Sequence, residues 1–344
     1  MSDVTANLVQ DIIKVDSQYI RRLPMNEPIQ LDGLPISVVL VDANHCPGAV
    51  LFLFTVQQPC PPISTVPWPK NPIAPLPWRH LHCGDFRAHV SHLQQEHILS
   101  HQPFHSCYLD TTYLRPSHTF PSQDEVISKC EALCISIVKD GKEVQDVVGG
   151  NRVKHMMSWL GGAFSGKPKR TLVVVGTYLI GKERVFLRLA KALDSKIFAD
   201  GSKRRILNLL EDEEISDRLT ADPSAASVHV VRIGSLNAEN LQAYLTKHNY
   251  FDAIVAFRPT GWTFRPTTTP NGSWDLSPQF TNKTVTLFGV PYSEHSSFEE
   301  LEMFVKGVSA AVYIPTVNIW NAVRRDEMHG WINRWNLEMK NKIM

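Results

Sequence analysis

The second half of the chain alternates strand-like apolar runs with amphipathic helical segments, and this pattern narrows the possible folds more than any other feature. From residue 171, TLVVV precedes KERVFLRLAKAL, SVHVVRI precedes NAENLQAYLTKH, and DAIVAF follows. The tail repeats the pattern with TVTLFGV, FEELEMFVKGV, AVYIPTV and a final helix near 322–340. Such alternation is typical of parallel βαβ units, whose functional loops lie at the carboxyl ends of the strands. The sequence therefore predicts an α/β protein.

The first half has shorter elements and two irregular stretches. Apolar runs at 36–43 and 49–56 predict two strands, and the loop between them contains His45. Eight prolines between Gln57 and Arg79 predict an extended insertion, and the glycine pairs and basic residues of 139–170 predict a second variable loop. A capping box at Ser122 predicts a helix with Cys130 and Cys134 in the core.

Composition limits the class of protein. With 344 residues, 43% of them hydrophobic, the chain can bury one large core or two ordinary ones. A net charge of +1 gives no argument for binding nucleic acid or membranes, so any anion site must be local. Six cysteines without a CxxC pair, no signal peptide and no long apolar run predict a soluble intracellular protein with reduced thiols.

The segment HLHCGDFRA has the residue types of a metal site. His80 and His82 are two positions apart, so a strand places both on one face, with Asp85 following at the strand end. Histidine is also common at strand ends for unrelated reasons. The spacing alone therefore leaves open whether these residues bind a metal.

Three loops after apolar strands contain further metal-ligand candidates: His45 in DANHCPGA, Asp85 in HCGDFRA and His295 in PYSEHSS. Imidazole and carboxylate groups bind zinc and leave a position for water, whose pKa the metal lowers. Asp110 in YLDTTYL could orient one of these ligands. Each histidine could equally be a hydrogen-bonded residue at a strand end.

Residues 176–182, GTYLIGK, match the GxxxxGK outline of a phosphate loop between a strand and a helix. Glu183 stands where such loops have Ser or Thr for Mg²⁺, and its carboxylate would repel a triphosphate. A P-loop NTPase is therefore a weak alternative. Two simpler possibilities remain: Lys182 and the helix start bind one phosphate, or the glycines only form a tight turn.

Seven motifs together resemble the metallo-β-lactamase/β-CASP DNA nucleases, in their DNA interstrand cross-link repair branch. They occur in order as DANHCPGAV, HCGDFRA, YLDTTYL with TFPSQDEV, VGTYLIGKERVF, AFRPTGWT, GVPYSEHSS and IPTVN. The resemblance implies an αββα metallo-β-lactamase sandwich with an inserted α/β β-CASP domain. It implies metallo-β-lactamase parts at 1–118 and 284–344 around a β-CASP domain at 119–283.

The resemblance also assigns roles to residues. His45 matches the histidine of the third lactamase motif, and Asp85 matches the aspartate of the fourth, which can bridge two metal ions. Asp110, His295 and Val317 match motifs A, B and C of β-CASP proteins.

The same comparison answers the question raised by HLHCGDFRA. His82 matches a position that is not a primary ligand, and His80 falls where an apolar residue is usual. Asp85 is then the one ligand of that segment.

The main metal motif of the family, HxHxDH, does not occur in this chain. In the family it lies upstream of a segment resembling VTANLV, so we expect an incomplete metal site and missing N-terminal strands. Either the chain is a truncated form of a longer enzyme, or it is a family member without catalysis that binds DNA or acts as a scaffold.

By resemblance, the function is a nuclear DNA repair 5′ exonuclease that hydrolyses phosphodiesters with metal-bound hydroxide. Its cofactor would be one or two zinc ions, and its substrate would be single-stranded DNA or a cross-linked duplex with a 5′ phosphate. Trp262 could stack on a base. The other residues expected at the phosphates or the DNA backbone are Thr112, Tyr178, Lys182, Arg258 and Ser293.

Overall fold

A computed structural model describes residues 1–57, 77–99, 103–144, 147, 170–261 and 274–343. Trp262 and most of the two predicted irregular stretches lie outside the described residues. The chain divides into a first unit, Met1–Thr119 with Glu294–Met344, and a second unit, Phe120–Ser293. Among the described residues, no helix has the length and apolarity needed to cross a membrane.

The described elements are numbered here in chain order. The strands are β1 Ile29–Gln30, β2 Ile36–Asp42, β3 Val50–Val56, β4 Trp78–His82, β5 Phe104–Leu109, β6 Thr171–Thr177, β7 Ile197–Ala199, β8 Leu219–Thr220, β9 Val228–Arg232, β10 Ala253–Pro259, β11 Pro278–Thr281, β12 Val285–Val290 and β13 Ala310–Pro315. The α-helices are α1 Asp3–Leu8, α2 Glu96–Leu99, α3 Gln123–Cys134, α4 Glu183–Ala192, α5 Gly201–Asn208, α6 Glu213–Arg218, α7 Ala238–Lys247, α8 Phe298–Gly307 and α9 Ala322–Ile343.

The first unit is built on a mixed sheet in the order β1-β2-β3-β4-β5-β13. Pairing is antiparallel from β1 to β4 and parallel between β4, β5 and β13. Alternate apolar residues of β2 and β3 pack against α8 and α9, with Phe304 and Trp335 almost fully buried. Because β2 and β4 both run antiparallel to β3, the carboxyl ends of β2, β4 and β5 lie at one edge of the sheet.

The second unit is built on a mixed sheet in the order β11-β12-β10-β6-β9-β7-β8, parallel except for β11. All seven residues of β6 are buried, as expected of a strand covered on both faces. One face packs against α7 through Leu241 and Leu245. The helix α4 contacts β6 and β9, and α3 packs on α4.

The α/β class and the parallel βαβ units predicted from the sequence are confirmed. Cys130 and Cys134 are buried in α3, and the Ser122 hydroxyl accepts from the Glu125 N–H, as predicted for an N-cap.

The structure differs from the sequence prediction at three places. The strand after the proline-rich stretch begins at Trp78, inside the predicted insertion 57–79. The second compact unit extends to Ser293, because β12 pairs with β10 and β11, and the predicted domain boundary at residue 283 remains a prediction. The short elements between 197 and 220 were not predicted, since segments of two to eight residues show little periodicity.

Candidate metal centre

Loops at the carboxyl ends of β2 and β4 position the first two candidate ligands. Asn44 adopts a positive φ of 49° and its N–H donates to the Asp42 carboxylate, which turns the chain just before His45. Gly84, with φ 58°, turns the chain just before Asp85. These left-handed turns place both ligands beyond the sheet edge.

His45, Asp85 and His295 come together as the sequence predicted. One possible ligand atom from each residue lies within 4.8 Å of those of the other two, and Asp85 is exposed while both histidines are half-buried. The imidazole rings of the two histidines meet edge to face, with their centroids 4.8 Å apart.

His80 and His82 are not members of this group. His80 Nδ1 lies 2.7 Å from the Ser106 hydroxyl. The His82 ring stacks on Tyr108, and its Nδ1 accepts from the Gly84 N–H. Their shared strand face therefore serves contacts between neighbouring strands.

Hydrogen bonds fix which nitrogen of each histidine faces a metal. His45 Nδ1 lies 2.7 Å from the Glu294 carbonyl oxygen, which can only accept, so Nδ1 carries the proton. His295 Nδ1 lies 2.8 Å from Asp110 Oδ2 and donates to that carboxylate. In the neutral rings, both Nε2 atoms therefore keep a lone pair for a ligand bond.

Asp110 is 2% exposed and is held as an anion. Burial alone would raise its pKa, but hydrogen bonds from His295 and from the Thr112 hydroxyl and N–H outweigh burial and lower the pKa below the ordinary value. The Phe86 N–H lies 3.4 Å from Asp110 Oδ2. The carboxylate thus orients His295 from behind. The Thr112 hydroxyl, predicted to contact a phosphate, instead donates to Asp110 at 2.6 Å.

The loop that bears Asp85 and the segment after His295 are joined by a partly buried ion pair that the sequence reasoning missed. The Arg87 guanidinium, 3% exposed, donates from Nε and Nη2 to the Glu300 carboxylate at 2.9–3.1 Å. Glu300 also accepts from the Ser297 N–H in the capping box of α8. The spacing Ser297-x-x-Glu300 just after His295 was the available signal.

Ser296 makes a second link between the same loops. Its hydroxyl accepts from the Ala88 N–H at 2.9 Å and lies 3.1 Å from the Phe86 carbonyl oxygen. Its own N–H donates to the same carbonyl group. These hydrogen bonds therefore hold the loops of Asp85 and His295 together without a bound metal.

The predicted phosphate residues Tyr178 and Lys182 lie together within the second unit. Lys182 is 5% exposed, with Nζ 5.5 Å from the ring centroid of Tyr178 and 5.2 Å from that of Tyr292. Tyr178 is 53% exposed. A buried ammonium group beside two aromatic rings is placed to hold the loop, and it presents little surface to a phosphate.

In the phosphate-loop outline, the adjacent Glu183 carboxylate occupies an N–H group that a phosphate would need. Glu183 Oε1 accepts from the Gly181 N–H at 3.0 Å and lies 3.4 Å from Lys203 Nζ. Lys203 also donates to the carbonyl oxygens of Tyr178 and Leu179. An internal carboxylate thus takes a hydrogen bond that a P-loop offers to a nucleotide, which argues against the NTPase alternative.

Ser293 and Arg258 have their own partners within the second unit. Ser293 is 3% exposed, and its carbonyl oxygen accepts from Gln123 Nε2. Arg258, on β10, donates to the Gln279 side chain at 3.0 Å. Their predicted contacts with DNA remain predictions.

Comparison with known proteins identifies a family and several relatives. The family model described as DNA repair metallo-beta-lactamase matches residues 213–321. The DNA cross-link repair protein pso2/snm1 of Schizosaccharomyces pombe is 36% identical over 352 residues, covering 97% of this chain and 55% of the relative. The DNA cross-link repair protein SNM1 of Arabidopsis thaliana is 36% identical over 335 residues, covering 97% and 59%. The 5′ exonuclease Apollo of Danio rerio is 27% identical over 323 residues, covering 92% and 43%.

The fold and the site define an α/β protein with a group of histidine and aspartate side chains at one edge of a sheet. The comparisons identify the family of this protein. The chain belongs to the DNA-repair metallo-β-lactamase family, and its relatives in that family include DNA cross-link repair proteins. It spans a little over half the length of its relatives from S. pombe and A. thaliana.

Proposed function

We propose that this chain contributes the metal centre of a DNA repair nuclease that hydrolyses phosphodiester bonds. The observation that supports this most strongly is the grouping of His45, Asp85 and His295, with their ligand atoms within 4.8 Å. Three separate loops converge on this point, although 250 residue positions separate the first ligand from the last.

The donor set fits zinc. Two imidazoles and one carboxylate are ligands of the kind that catalytic zinc sites use, and by the family resemblance the HxHxDH motif, which this chain lacks, would supply the remaining ligands. When bound, such an ion lowers the pKa of a water molecule and neutralises charge on a phosphodiester. Both Nε2 atoms are left for the ion because each Nδ1 already has an acceptor.

The surrounding residues of the chain position these donors. Asp110 holds the ring of His295, Thr112 holds Asp110, and the Glu294 carbonyl oxygen holds the ring of His45. The exposure of Asp85 leaves solvent access to the group. Asp110 is thus a positioning residue in this proposal, and Asp85 and His295 are the residues closest to the chemistry.

The names of the relatives support a proposal for the substrate and the cell compartment. Their names describe DNA cross-link repair proteins and, for the zebrafish protein, a 5′ exonuclease. We therefore propose a DNA strand with a 5′ phosphate as the substrate, repair of interstrand cross-links as the process, and the nucleus as the site of action. Tyr178, a predicted phosphate residue of the second unit, has a solvent-exposed side chain beside Lys182.

The test is cleavage of a 3′-labelled, 5′-phosphorylated oligonucleotide by the purified chain, with zinc, manganese or magnesium added after chelation. Once a segment containing HxHxDH is supplied upstream of the chain, we expect stepwise shortening from the 5′ end that Asp85→Asn or His295→Ala reduces to the uncatalysed level. His329→Ala is the matched control, because His329 is exposed on α9 and has no place in the metal group.

Two outcomes would contradict the proposal. Unchanged cleavage in Asp85→Asn would show that the nuclease activity does not depend on this group. Salt-dependent DNA binding without cleavage under any metal would favour the inactive DNA-binding alternative.

A further inference from the structure

A tryptophan stands almost free in solvent on the loop that follows β13. Trp320 is 82% exposed, the highest value among the large apolar side chains in the described part of the chain. Ile319 and Val323 beside it are 42% and 67% exposed. A cluster of exposed apolar side chains marks a contact surface more often than a lone one does.

The loop is anchored to the residues behind the metal centre. The Thr111 hydroxyl donates to the Val317 carbonyl oxygen at 2.7 Å, and Asn318 Nδ2 donates to the Thr112 carbonyl oxygen at 3.4 Å. Thr112 in turn binds Asp110, the partner of His295. The start of the Trp320 loop therefore lies directly beside the segment that orients a metal ligand.

The far side of the loop is also fixed. Asn321 Oδ1 accepts from the Arg324 N–H, and its carbonyl oxygen accepts from the Arg325 N–H at the start of α9. The Arg325 guanidinium donates to the Ile319 carbonyl oxygen at 2.6 Å. The loop that bears Trp320 is therefore held at both ends by hydrogen bonds. The fold thus keeps the Trp320 side chain exposed to solvent.

The distance from Trp320 to the anchored segment is short. Two Cα–Cα steps separate Trp320 from Asn318, so their Cα atoms are at most about 7.6 Å apart. Successive nucleotides of a stacked strand are about 3.4 Å apart. If a strand is held at the metal centre, a base a few nucleotides further along that strand would come within reach of the indole ring.

We infer that Trp320 is a stacking platform for a base of the DNA strand held at the metal centre. This inference rests on the proposed function. An indole face is sequence-tolerant because every base has a π-face to stack on it. The exposed Arg325, whose guanidinium donates to the Ile319 carbonyl oxygen, adds positive charge to the loop, which suits a polyanionic strand.

A second copy of the chain is the less favoured occupant. Stable protein interfaces bury about 800 Å² on each partner, with about 20 to 30 residues a side. The patch offers three apolar side chains, Ile319, Trp320 and Val323, next to a cation. Those three residues are far fewer than a stable interface uses, whereas one base needs only one aromatic ring.

The experiment measures binding of short 5′-phosphorylated single strands to the full chain by fluorescence anisotropy, in chelator and at fixed salt. One strand is unmodified and the other has abasic sites near its 5′ end. We expect Trp320→Ala to weaken binding of the unmodified strand about ten-fold, and Trp320→Phe to retain most of it. On the abasic strand, Trp320→Ala and the unaltered chain should bind alike.

Tyr19→Ala is the matched control, since Tyr19 is 76% exposed in the same unit. Equal binding of the unmodified strand by Trp320→Ala and the unaltered chain would overturn the inference, as would an equal loss of binding on both strands. Dissociation of a dimer by Trp320→Ala in sedimentation would assign the patch to self-association and overturn it too. Absence of DNA binding by the unaltered chain would defeat the proposed function as well, whereas cleavage unaffected by Trp320→Ala with unchanged binding defeats this inference alone.

Discussion

The segments that follow β5 and β6 each contain a carboxylate within a candidate motif. In the structure, the two carboxylates make different kinds of contact. At the edge of the first sheet, the Asp110 carboxylate accepts a hydrogen bond from Nδ1 of His295, which leaves Nε2 of that histidine for an ion. At the end of β6, Glu183 turns onto the Gly181 N–H of its own loop and closes the phosphate-loop outline. The Asp110 carboxylate thus orients a candidate metal ligand, whereas the Glu183 carboxylate occupies an N–H group that a phosphate would need.

The largest effect should come from breaking the ion pair that joins the two ligand loops. Arg87→Met leaves the partly buried Glu300 carboxylate without its guanidinium partner, and we expect it to lower the free energy of unfolding by about 3 kcal/mol. Urea unfolding followed by hydrogen exchange at the amides of β4 and α8 would measure this locally.

Arg87→Lys is the control, because it keeps the charge and loses the two-point contact. It should cost clearly less than Arg87→Met. If Arg87→Met unfolds at the same urea concentration as the unaltered chain, the loops of the metal centre owe their order to other contacts.

The second unit should respond to pH through His229. Burial lowers the pKa of His229 to about 4 from its ordinary 6.5, and its nitrogens lie 2.9 Å from the Tyr244 hydroxyl and the Pro223 carbonyl oxygen. Between these two pKa values the unfolded chain binds more protons than the folded one. Stability should therefore fall as pH drops from 6.5 towards 4, by at most about 3 kcal/mol.

The check is the urea midpoint of the second unit, followed at amides of β9 across this pH range. His229→Phe should remove most of the slope. A slope that is the same in His229→Phe would place the acid sensitivity elsewhere.

Asp110→Asn tests the carboxylate that prepares a site. Because the variant keeps the shape but loses the charge that orients His295, we expect zinc affinity to fall about ten-fold to a hundred-fold. Competition with a fluorescent zinc chelator measures this. Asp326→Asn, an exposed change on α9, should leave the affinity unaltered. Equal affinities in both variants would remove Asp110 from the metal centre.

Glu183→Gln tests the carboxylate that fills its own loop, with the smallest expected effect. The amide can still accept from Gly181, but the contact with Lys203 loses its charge, so we expect a loss of about 1 kcal/mol. Hydrogen exchange at the amides of α4 would show it.

ATP should raise the melting temperature of neither the Glu183→Gln variant nor the unaltered chain. A rise in the variant alone would mean that Glu183 was the only barrier to nucleotide binding. A rise in the unaltered chain would restore the P-loop alternative.

The sequence predicted what depends on periodicity and order along the chain. The strands β2, β3, β6 and β10 and the convergence of His45, Asp85 and His295 follow from apolar runs and from ligand types at strand ends. The direction in which a side chain turns was not predictable. His80 and His82 share a face yet contact neighbouring strands.

The same limit explains the roles of Lys182 and Arg87. The GxxxxGK outline contains no sign that Lys182 lies between two tyrosine rings, because Tyr292 is distant in sequence. The pair of Arg87 and Glu300 joins residues 213 positions apart. Contacts of this kind depend on the tertiary fold, and one sequence does not encode them in a local pattern.

The most direct test of the metal centre is anomalous X-ray diffraction from crystals of the chain soaked in zinc, recorded on both sides of the zinc absorption edge. The account predicts an anomalous peak within bonding distance of Nε2 of His45, Nε2 of His295 and the Asp85 carboxylate. A zinc peak elsewhere with none at these three residues, or ligation of the ion through Nδ1 of either histidine, would contradict it.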